Sequence, residues 1–233
     1  MKLAIICAMD EELSQIDLEL GWTPLRSISL AGNIYNEYFY AGHSVISTKC
    51  GIGKVNAAIA TQALLANFAI DYVVNVGIAG SLSKELKFGD VVIADDLVEH
   101  DFDMRSFGVP LGQIVGINTF SFAADSWLKD VLLQKVRLES NQVACGRIVS
   151  GDQFIDNAAK AEFLHSEFNA LACEMEGAAI AHVCYANQIP FAVIRSLSDM
   201  AGQDGNAFHS FTDLKEMAAK RAALVVKNLL REI

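Results

Sequence analysis

The chain has 233 residues, of which 52% are hydrophobic and 20% charged, and its formal net charge is −10. This composition supplies a large apolar core and excludes a disordered chain. The net charge disfavours nucleic acid and anionic membrane as partners, so we expect the protein to bind a small neutral or cationic molecule.

The first part of the chain alternates between predicted strands and helices. Residues 2–8 are a continuous apolar run that is typical of a buried strand, and residues 10–19 predict a short helix. The turn signals "GN" and "GH" then divide a meander of strands. The motif "GIGK" opens an alanine-rich helix through about Ala66, and "DYVVNVGIAG" follows as a second apolar strand. Strand, glycine turn, helix and strand indicate a βαβ unit.

The second part of the chain continues this alternation. We predict strands at 90–98, 143–150, 170–175 and 191–198, and helices near 124–139, 157–166, 177–187 and 211–231. Residues 101–120 are irregular. Because the chain has no internal repeat, low-complexity tract or linker, we predict one domain over residues 1–233.

Composition also bears on compartment and cofactors. No apolar run approaches the roughly 18 residues that a bilayer-spanning helix needs, and the N-terminal run "KLAIICAM" ends in acidic residues without a cleavage site. The five cysteines lack C-x-x-C spacing, and the five histidines lack ligand spacing. The glycine motifs "CGIGK" and "GIAGS" match neither a dinucleotide fingerprint nor a P-loop. We expect a cytoplasmic protein with no membrane partner, no metal and no cofactor.

Two glutamates bracket a methionine in the stretch "CEMEGAAIAH". Glu174 and Glu176 share a face only in extended backbone, because residues two apart lie about 200° apart on a helix. The pair is therefore predicted at the carboxyl end of a strand, where α/β sheets bind ligands. The alternative is that both are solvated turn residues near a helix N-terminus.

Two other predicted strands also end in carboxylates. Asp10, Glu11 and Glu12 follow the first strand, and Asp199 follows the last. The alternatives are helix capping, with Asp10 as the N-cap residue, and a turn-initiating aspartate at position 199. Carboxylates at three strand ends suggest a common site.

Several motifs in a fixed order resemble a known family. They are "AIICAMDEEL", "CGIGKVNAA", "NVGIAG", "FGDVVIADDLVEHD", "SGDQFI", "EMEGAAIAHVC" and "RSLSDMA". In this order they are similar to the bacterial 5'-methylthioadenosine/S-adenosylhomocysteine nucleosidases, members of the purine and uridine phosphorylase superfamily. The resemblance runs from Met1 to the final helix. It implies a single-domain three-layer α/β/α sandwich with a central mixed, twisted sheet, as in nucleoside phosphorylases.

The resemblance implies hydrolysis of the bond between adenine N9 and C1' of a 5'-thio-substituted ribose, with 5'-deoxyadenosine as a further substrate. In the family pattern Asp199 protonates purine N7, and Ser198 holds the Asp199 carboxyl. Glu12 activates the water, Glu176 binds the ribose hydroxyls, and Glu174 lies near them. The acid role requires a raised pKa for Asp199, which we expect from burial beside the other carboxylates.

The resemblance also implies the substrate contacts. Adenine would lie by Phe154 and Ile155, with Gly80 in the same site. The ribose and the alkylthio tail would contact Met9, Ile52, Met175 and Phe211, although Phe208 competes for the role of Phe211. A homodimer would bring Phe107 from the second subunit.

Three alternatives to this nucleosidase remain open. One is an aminodeoxyfutalosine nucleosidase, another a purine nucleoside phosphorylase, and the third a non-catalytic nucleoside-binding module. A phosphate dianion would be repelled by Asp10, Glu11 and Glu12, which favours hydrolysis. Cys50 and Ile78 replace hydroxyl residues common in the family, which leaves the water pocket and the substrate preference open.

Overall fold

Strands and helices alternate through most of the computed structural model, which describes residues 1–135, 142–202 and 207–232. The strands in this part of the chain are β1 (Lys2–Cys7), β2 (Arg26–Leu30), β3 (Asn33–Tyr40), β4 (His43–Lys49), β5 (Tyr72–Ser81), β6 (Val91–Glu99), β7 (Phe122–Ala123), β8 (Val143–Ser150), β9 (Ala170–Glu174) and β10 (Phe191–Met200). The helices are α1 (Asp10–Leu20), α2 (Lys54–Asn67), α3 (Ser126–Lys135), α4 (Ala158–Phe168), α5 (Gly177–Asn187) and α6 (Ala207–Glu232).

The strands form one mixed sheet that partly closes on itself. β5, β10, β6, β8 and β9 pair in a ring, and β1, β4, β3 and β2 extend from β5. β1 runs parallel to both β4 and β5, whereas β10 is parallel to β5 and antiparallel to β6. The ring brings the carboxyl ends of β5, β9 and β10 to one edge, and β1 ends beside them.

Both faces of the sheet are covered by helices. Leu3 and Ile5 of β1 pack in a core with α1, α3 and α6, whereas Ala4 and Ile6 pack on the opposite side with α2 and α5. Alternate residues of a strand point to opposite faces, so a strand buried on both faces must be apolar throughout. This three-layer α/β/α arrangement with a mixed sheet confirms the predicted fold class.

The observed elements follow the predicted ones closely, with small differences. β7 was not predicted, because its two residues are too short to show a pattern. Residues 101–120 contain one short 3-10 helix, Arg105–Phe107. Part of the helix predicted over 124–139 lies outside the described residues. No helix in the described ranges combines the length and the apolar character that a membrane crossing needs.

Candidate active site

A cavity of about 390 Å³ opens at the edge where β1, β5, β9 and β10 end. Its described lining includes four carboxylates and no lysine, arginine or histidine. The lining residues are Ala8, Met9, Glu12, Ile52, Ile78, Ala79, Gly80, Gln153, Phe154, Ile155, Cys173, Glu174, Met175, Glu176, Ser198, Asp199 and Ala201. A largely apolar wall with a few convergent carboxylates suits a small organic ligand that has hydroxyl or amino donors.

Glu12 is held in the cavity wall by backbone donors. It is the third residue of α1, and one carboxylate oxygen accepts the N–H groups of Ala8 and Met9 at 2.8 and 3.0 Å. The other oxygen accepts the Ile78 N–H at 3.0 Å. Burial raises the pKa of Glu12, although Arg195 and these N–H groups oppose the shift. The result is a carboxyl of fixed position whose proton affinity is above the ordinary value.

Glu174 is engaged almost entirely by protein donors. Its carboxylate accepts hydrogen bonds from Arg195 and Ser150 and from the backbone N–H groups of Glu176 and Gly177. Burial alone would raise the pKa of Glu174, but Arg195 and the hydrogen bonds outweigh it, so the pKa is lowered. Glu174 is therefore an ionised anchor at the end of β9.

Glu176 has a different environment two residues later. It is the N-cap residue of α5, is 6% exposed, and accepts the Gly53 N–H at 2.8 Å. Burial, and next the charge of Glu174, raise the pKa of Glu176 above its usual value. The two neighbouring carboxylates therefore differ in proton affinity, so that Glu174 stays ionised more readily than Glu176.

Asp199 and Ser198 lie at the carboxyl end of β10, where the pairing with β5 has a bulge between Leu197 and Asp199. The Ser198 hydroxyl donates to Asp199 Oδ1 at 2.7 Å. Burial raises the pKa of Asp199, the Ser198 bond opposes this, and Asp156 adds to it. The raised pKa confirms the expected direction, but the carboxylate that contributes is Asp156 and not one of the glutamates we expected.

The structure brings most of the predicted site residues together. Each of the following lines the cavity: Glu12, Glu174, Glu176, Ser198, Asp199, Met9, Ile52, Gly80, Phe154, Ile155 and Met175. The side chains of Phe208 and Phe211 lie outside the described residues. Phe107 is 79% exposed and does not line the cavity of its own chain.

Of the three acidic residues after β1, only Glu12, the predicted site residue, lines the cavity. Asp10 pairs with Lys49 at 2.8 Å and Glu11 with Lys215 at 2.6 Å, and neither lines the cavity. Successive helical residues point about 100° apart, so only Glu12 turns inward. The alternative, in which Asp10 is the N-cap residue, does not hold, because Met9 occupies that position.

Sequence reasoning missed Arg195 altogether. This side chain is 2% exposed and donates to Glu174 and to Asn75 Oδ1. Its signal was a single cation in the apolar run "FAVIRSL". A buried arginine needs a carboxylate partner, so this signal could have separated the role of Glu174 from that of Glu176.

The two unusual residues at positions 50 and 78 have different relations to the cavity. Cys50 does not line it, and its thiol donates to the Gly51 carbonyl. Ile78 lines the cavity, and its backbone N–H donates to Glu12. This hydrogen bond does not depend on the Ile78 side chain. Within the described ranges, no group of three or more His, Cys, Asp or Glu side chains is placed to hold a metal ion.

Comparison with known proteins shows the superfamily and the family to which the chain belongs. A family model described as the Phosphorylase superfamily matches residues 2–231. A 5'-methylthioadenosine/S-adenosylhomocysteine nucleosidase of Geobacillus sp. (strain WCH70) is 39% identical over 235 residues, covering 100% of this chain and 99% of the relative. The chain therefore belongs to the phosphorylase superfamily, in its family of 5'-methylthioadenosine/S-adenosylhomocysteine nucleosidases.

Solved structures agree with this membership. One is the Helicobacter pylori 5'-methylthioadenosine/S-adenosylhomocysteine nucleosidase in complex with a pyrrolidin-3-ol that carries an aminopyrrolopyrimidine ring and a propynylthio tail. It is 34% identical, with a TM-score of 0.95 and coverage of 100% of this chain and 99% of that chain. A futalosine hydrolase of Helicobacter pylori strain 26695 is also 34% identical, with a TM-score of 0.94 and coverage of 100% and 98%.

Proposed function

We propose that the protein hydrolyses the N-glycosidic bond of 5'-methylthioadenosine and S-adenosylhomocysteine, and of 5'-deoxyadenosine as a further substrate. The products are adenine and the 5-substituted ribose. The observation that carries this proposal is the convergence of Glu12, Glu176 and Asp199 on one cavity from three separate strand ends. The names of the relatives supply the nucleoside, and the carboxylates supply chemistry that suits its cleavage.

The proposed reaction breaks the bond between N9 and C1' while water forms a new bond to C1'. The electron pair of the broken bond passes to the purine, and Asp199 delivers a proton to N7. Glu12 takes a proton from the attacking water. Both groups have raised pKa values, which keeps an acid and a base poised nearer neutral pH than an ordinary carboxyl group.

Positive charge develops on the ribosyl group as the bond breaks. Glu176 is placed to stabilise this charge when ionised and to accept hydrogen bonds from the ribose hydroxyls. Its fixed position comes from the Gly53 N–H, which holds one of its oxygens. Glu174 keeps its role as an anchor, because its oxygens are already occupied by protein donors.

Apolar lining residues supply the remaining substrate contacts. Phe154 and Ile155 follow β8 in one loop and form the proposed adenine wall. Met9, Met175 and the half-exposed Ile52 form the proposed wall for the ribose and the alkylthio tail. An open, apolar wall suits tails of different length, as in the two proposed thio substrates.

Water fits the attacking position better than phosphate. The described lining has four carboxylates and no cationic side chain, so a phosphate dianion would meet repulsion without a compensating partner. The buried Arg195 donates to Glu174 and Asn75 and does not line the cavity. Of these two reactions of the superfamily, the cavity of this protein therefore favours hydrolysis over phosphorolysis.

The proposed enzyme is a cytoplasmic homodimer in which Phe107 completes the partner's cavity. Phe107 is 79% exposed, which is unusual for a large aromatic side chain in a monomer. Val55 and Ile59 lie four residues apart on α2 and are 68% and 46% exposed, so they form an outward apolar face near Ile52. A second copy of the chain would bury these groups.

A second candidate is the cleavage of a futalosine-type nucleoside. The observation in its favour is that the Helicobacter pylori futalosine hydrolase is as similar to this chain as the Helicobacter pylori nucleosidase is. The two candidates share the chemistry at C1' and differ in the group attached at the 5' position. A non-catalytic binding module is disfavoured, because binding alone does not need an acid with a raised pKa.

The test is incubation of the purified protein with 5'-methylthioadenosine, with and without phosphate, and chromatography of the purine and sugar products. Adenine and free methylthioribose, unaffected by phosphate, are expected. Release of a sugar 1-phosphate would replace hydrolysis by phosphorolysis. Parallel reactions with S-adenosylhomocysteine and aminodeoxyfutalosine compare the candidate substrates by kcat/KM, and no turnover of any of them would favour the binding module.

Variants test the proposed roles. Asp199→Asn and Glu12→Gln each remove one proton-transfer group, and we expect each to lower kcat by about 10²- to 10⁴-fold. Asp10→Asn is the matched control, because Asp10 lies on the same turn of α1 but is exposed and paired with Lys49. Its kcat should equal that of the unmodified protein.

A further inference from the structure

Lys54 is the centre of a partly buried ion-pair cluster. Its ammonium group lies 2.8 Å from Glu99 and 2.6 Å from Asp101, and the three side chains are only 12–17% exposed. His182 of α5 contacts the other oxygen of Glu99 at 3.2 Å. We define these four residues as the Lys54 cluster. None of them lines the cavity.

The Lys54 cluster fixes the start of α2, where the backbone binds the carboxylate of Glu176. Lys54 is the first residue of α2, and its predecessor Gly53 donates the N–H that binds the Glu176 carboxylate. Gly53 has φ of +98°, so the chain makes a sharp turn between this contact and the helix. An anchored Lys54 side chain therefore restrains the backbone donor that positions Glu176.

The cluster also fixes the loop that forms the proposed adenine wall. Asp152 lies in this loop, two residues before Phe154. Its N–H donates to Asp101 at 2.9 Å, and its carboxylate accepts the backbone N–H of Lys54 at 2.8 Å. The start of the loop is also packed tightly, since a Cβ on Gly151 would lie 2.4 Å from the buried ring of His100. The loop and the start of α2 are thus bonded to the same cluster.

We infer that Lys54 is a positioning residue, which aligns Glu176 with the loop carrying Phe154 and Ile155 through the Lys54 cluster. This inference rests on the proposed function, in which Glu176 binds the ribose and the loop binds the purine. The two contacts must be in register because the bond that breaks joins these two parts of the substrate. Lys54 itself touches neither part.

The alignment has a charge requirement. Glu99 and Asp101 both approach one ammonium group, so removal of Lys54 would leave two close carboxylates to repel each other. Asp101 would then move away from Glu99 or take up a proton, and its bond to the Asp152 N–H would weaken. Loss of the cation also removes the bridge that ties Glu99 and Asp101 to the start of α2. The loop and the start of α2 are therefore expected to lose their alignment even where the repulsion is absent.

The test compares Lys54→Met with Lys129→Met. Lys129 forms a similar ion pair with Asp95 at 2.7 Å, but on α3, away from the cavity. We expect Lys54→Met to lower kcat for 5'-methylthioadenosine by about 10- to 100-fold at a temperature well below its Tm, with a smaller change in KM. Lys129→Met should keep both constants. Equal kcat for Lys54→Met and the unmodified protein would overturn the inference.

A variant with an uncharged Lys54 cluster distinguishes the loss of alignment from repulsion between Glu99 and Asp101. The triple variant Lys54→Met, Glu99→Gln, Asp101→Asn removes the repelling charges without restoring the bridge. We expect it to regain Tm but to keep the low kcat, whereas recovery of kcat would overturn the inference. If Lys54→Met does not fold, the triple variant is measured in its place by the same criterion. If the unmodified protein is inactive, the result counts against the proposed function. If the unmodified protein and the Lys54 variant are equally active, the result counts against the inference about Lys54 alone.

Discussion

The guanidinium of Arg195 lies 2.5 Å from the carboxylate of Glu174, and the two side chains are only 2% and 3% exposed. This pair helps to keep Glu174 ionised in the lining of the cavity. The charge of Glu174 in turn contributes to the raised pKa of Glu176, after the larger effect of burial. A structural ion pair thus sets the environment of a proposed substrate-binding carboxylate.

Neutralising Glu174 should destabilise the protein. Glu174→Gln leaves Arg195 buried without its counter-charge, so we expect the free energy of unfolding to fall by about 3 kcal/mol. Urea unfolding at pH 7 measures this change. The control is Glu162→Gln, which breaks the exposed pair with Lys84 and should cost at most about 1 kcal/mol. Equal losses in the two variants would contradict the buried-pair argument.

The stability of Glu176→Gln relative to the unmodified protein should increase as pH rises. Its folded pKa is raised from 4.5, so above pH 4.5 the folded state retains a proton that the unfolded chain has lost. Stability therefore falls as pH rises from 4.5 through the raised pKa, and Glu176→Gln lacks this loss. We expect the Tm of the variant minus that of the unmodified protein to increase from pH 5 to pH 9. A constant or shrinking difference would refute the assignment.

Removal of the Ser198 hydroxyl should move the alkaline limb of the activity profile. The Ser198 bond lowers the pKa of Asp199 against the larger effect of burial, so Ser198→Ala raises that pKa further. A general acid is active when protonated, so activity should persist to higher pH, by about 0.5–1 pH unit. The measurement is kcat/KM against pH. Ser47→Ala, a buried serine of β4, is the control and should leave the limb in place. A limb that stays fixed in Ser198→Ala would exclude Asp199 as the titrating acid.

Gly77 leaves the space that Glu12 occupies. A Cβ at this position would lie 2.6 Å from Glu12 Oε1, so Gly77→Ala must displace the carboxylate. We expect kcat to fall by about 10- to 100-fold, because a proton acceptor loses its alignment with the water. Gly146→Ala is a matched control, since its Cβ would meet Leu171 at 2.5 Å, away from the cavity. It should lower Tm and preserve kcat. Full activity in Gly77→Ala would argue against Glu12 as the base.

Phe107 should matter only through a second subunit. We expect Phe107→Ala to raise KM for 5'-methylthioadenosine by about 10-fold, as truncation of an aromatic contact does. Phe39→Ala is the control, because Phe39 is 67% exposed on β3 and plays no part in the proposal. Sedimentation gives the oligomeric state alongside the kinetics. A monomer that is fully active, or a KM that does not change, would remove Phe107 from the site.

The sequence by itself determined the elements and the edge at which the site lies. Continuous apolar runs such as 2–8 could only be strands covered on both faces, and glycine turns separated them from helices. Carboxylates directly after such strands were therefore predictable as neighbours of a ligand cavity. This reasoning placed Glu176 and Asp199 at the cavity, because each prediction depended on local position along the chain. It did not separate Glu12 from Asp10 and Glu11, which only the family resemblance did.

Only the tertiary structure decided what each carboxylate does there. Asp10 and Glu11 pair with lysines of β4 and α6, whereas Glu12 faces the cavity, and the spacing of three consecutive acids does not distinguish them. Likewise Glu174 meets Arg195 because β9 and β10 both pair with β5. Burial and charge partners come from residues far apart in the chain, and they alone set which carboxyl group is an anchor and which can exchange a proton.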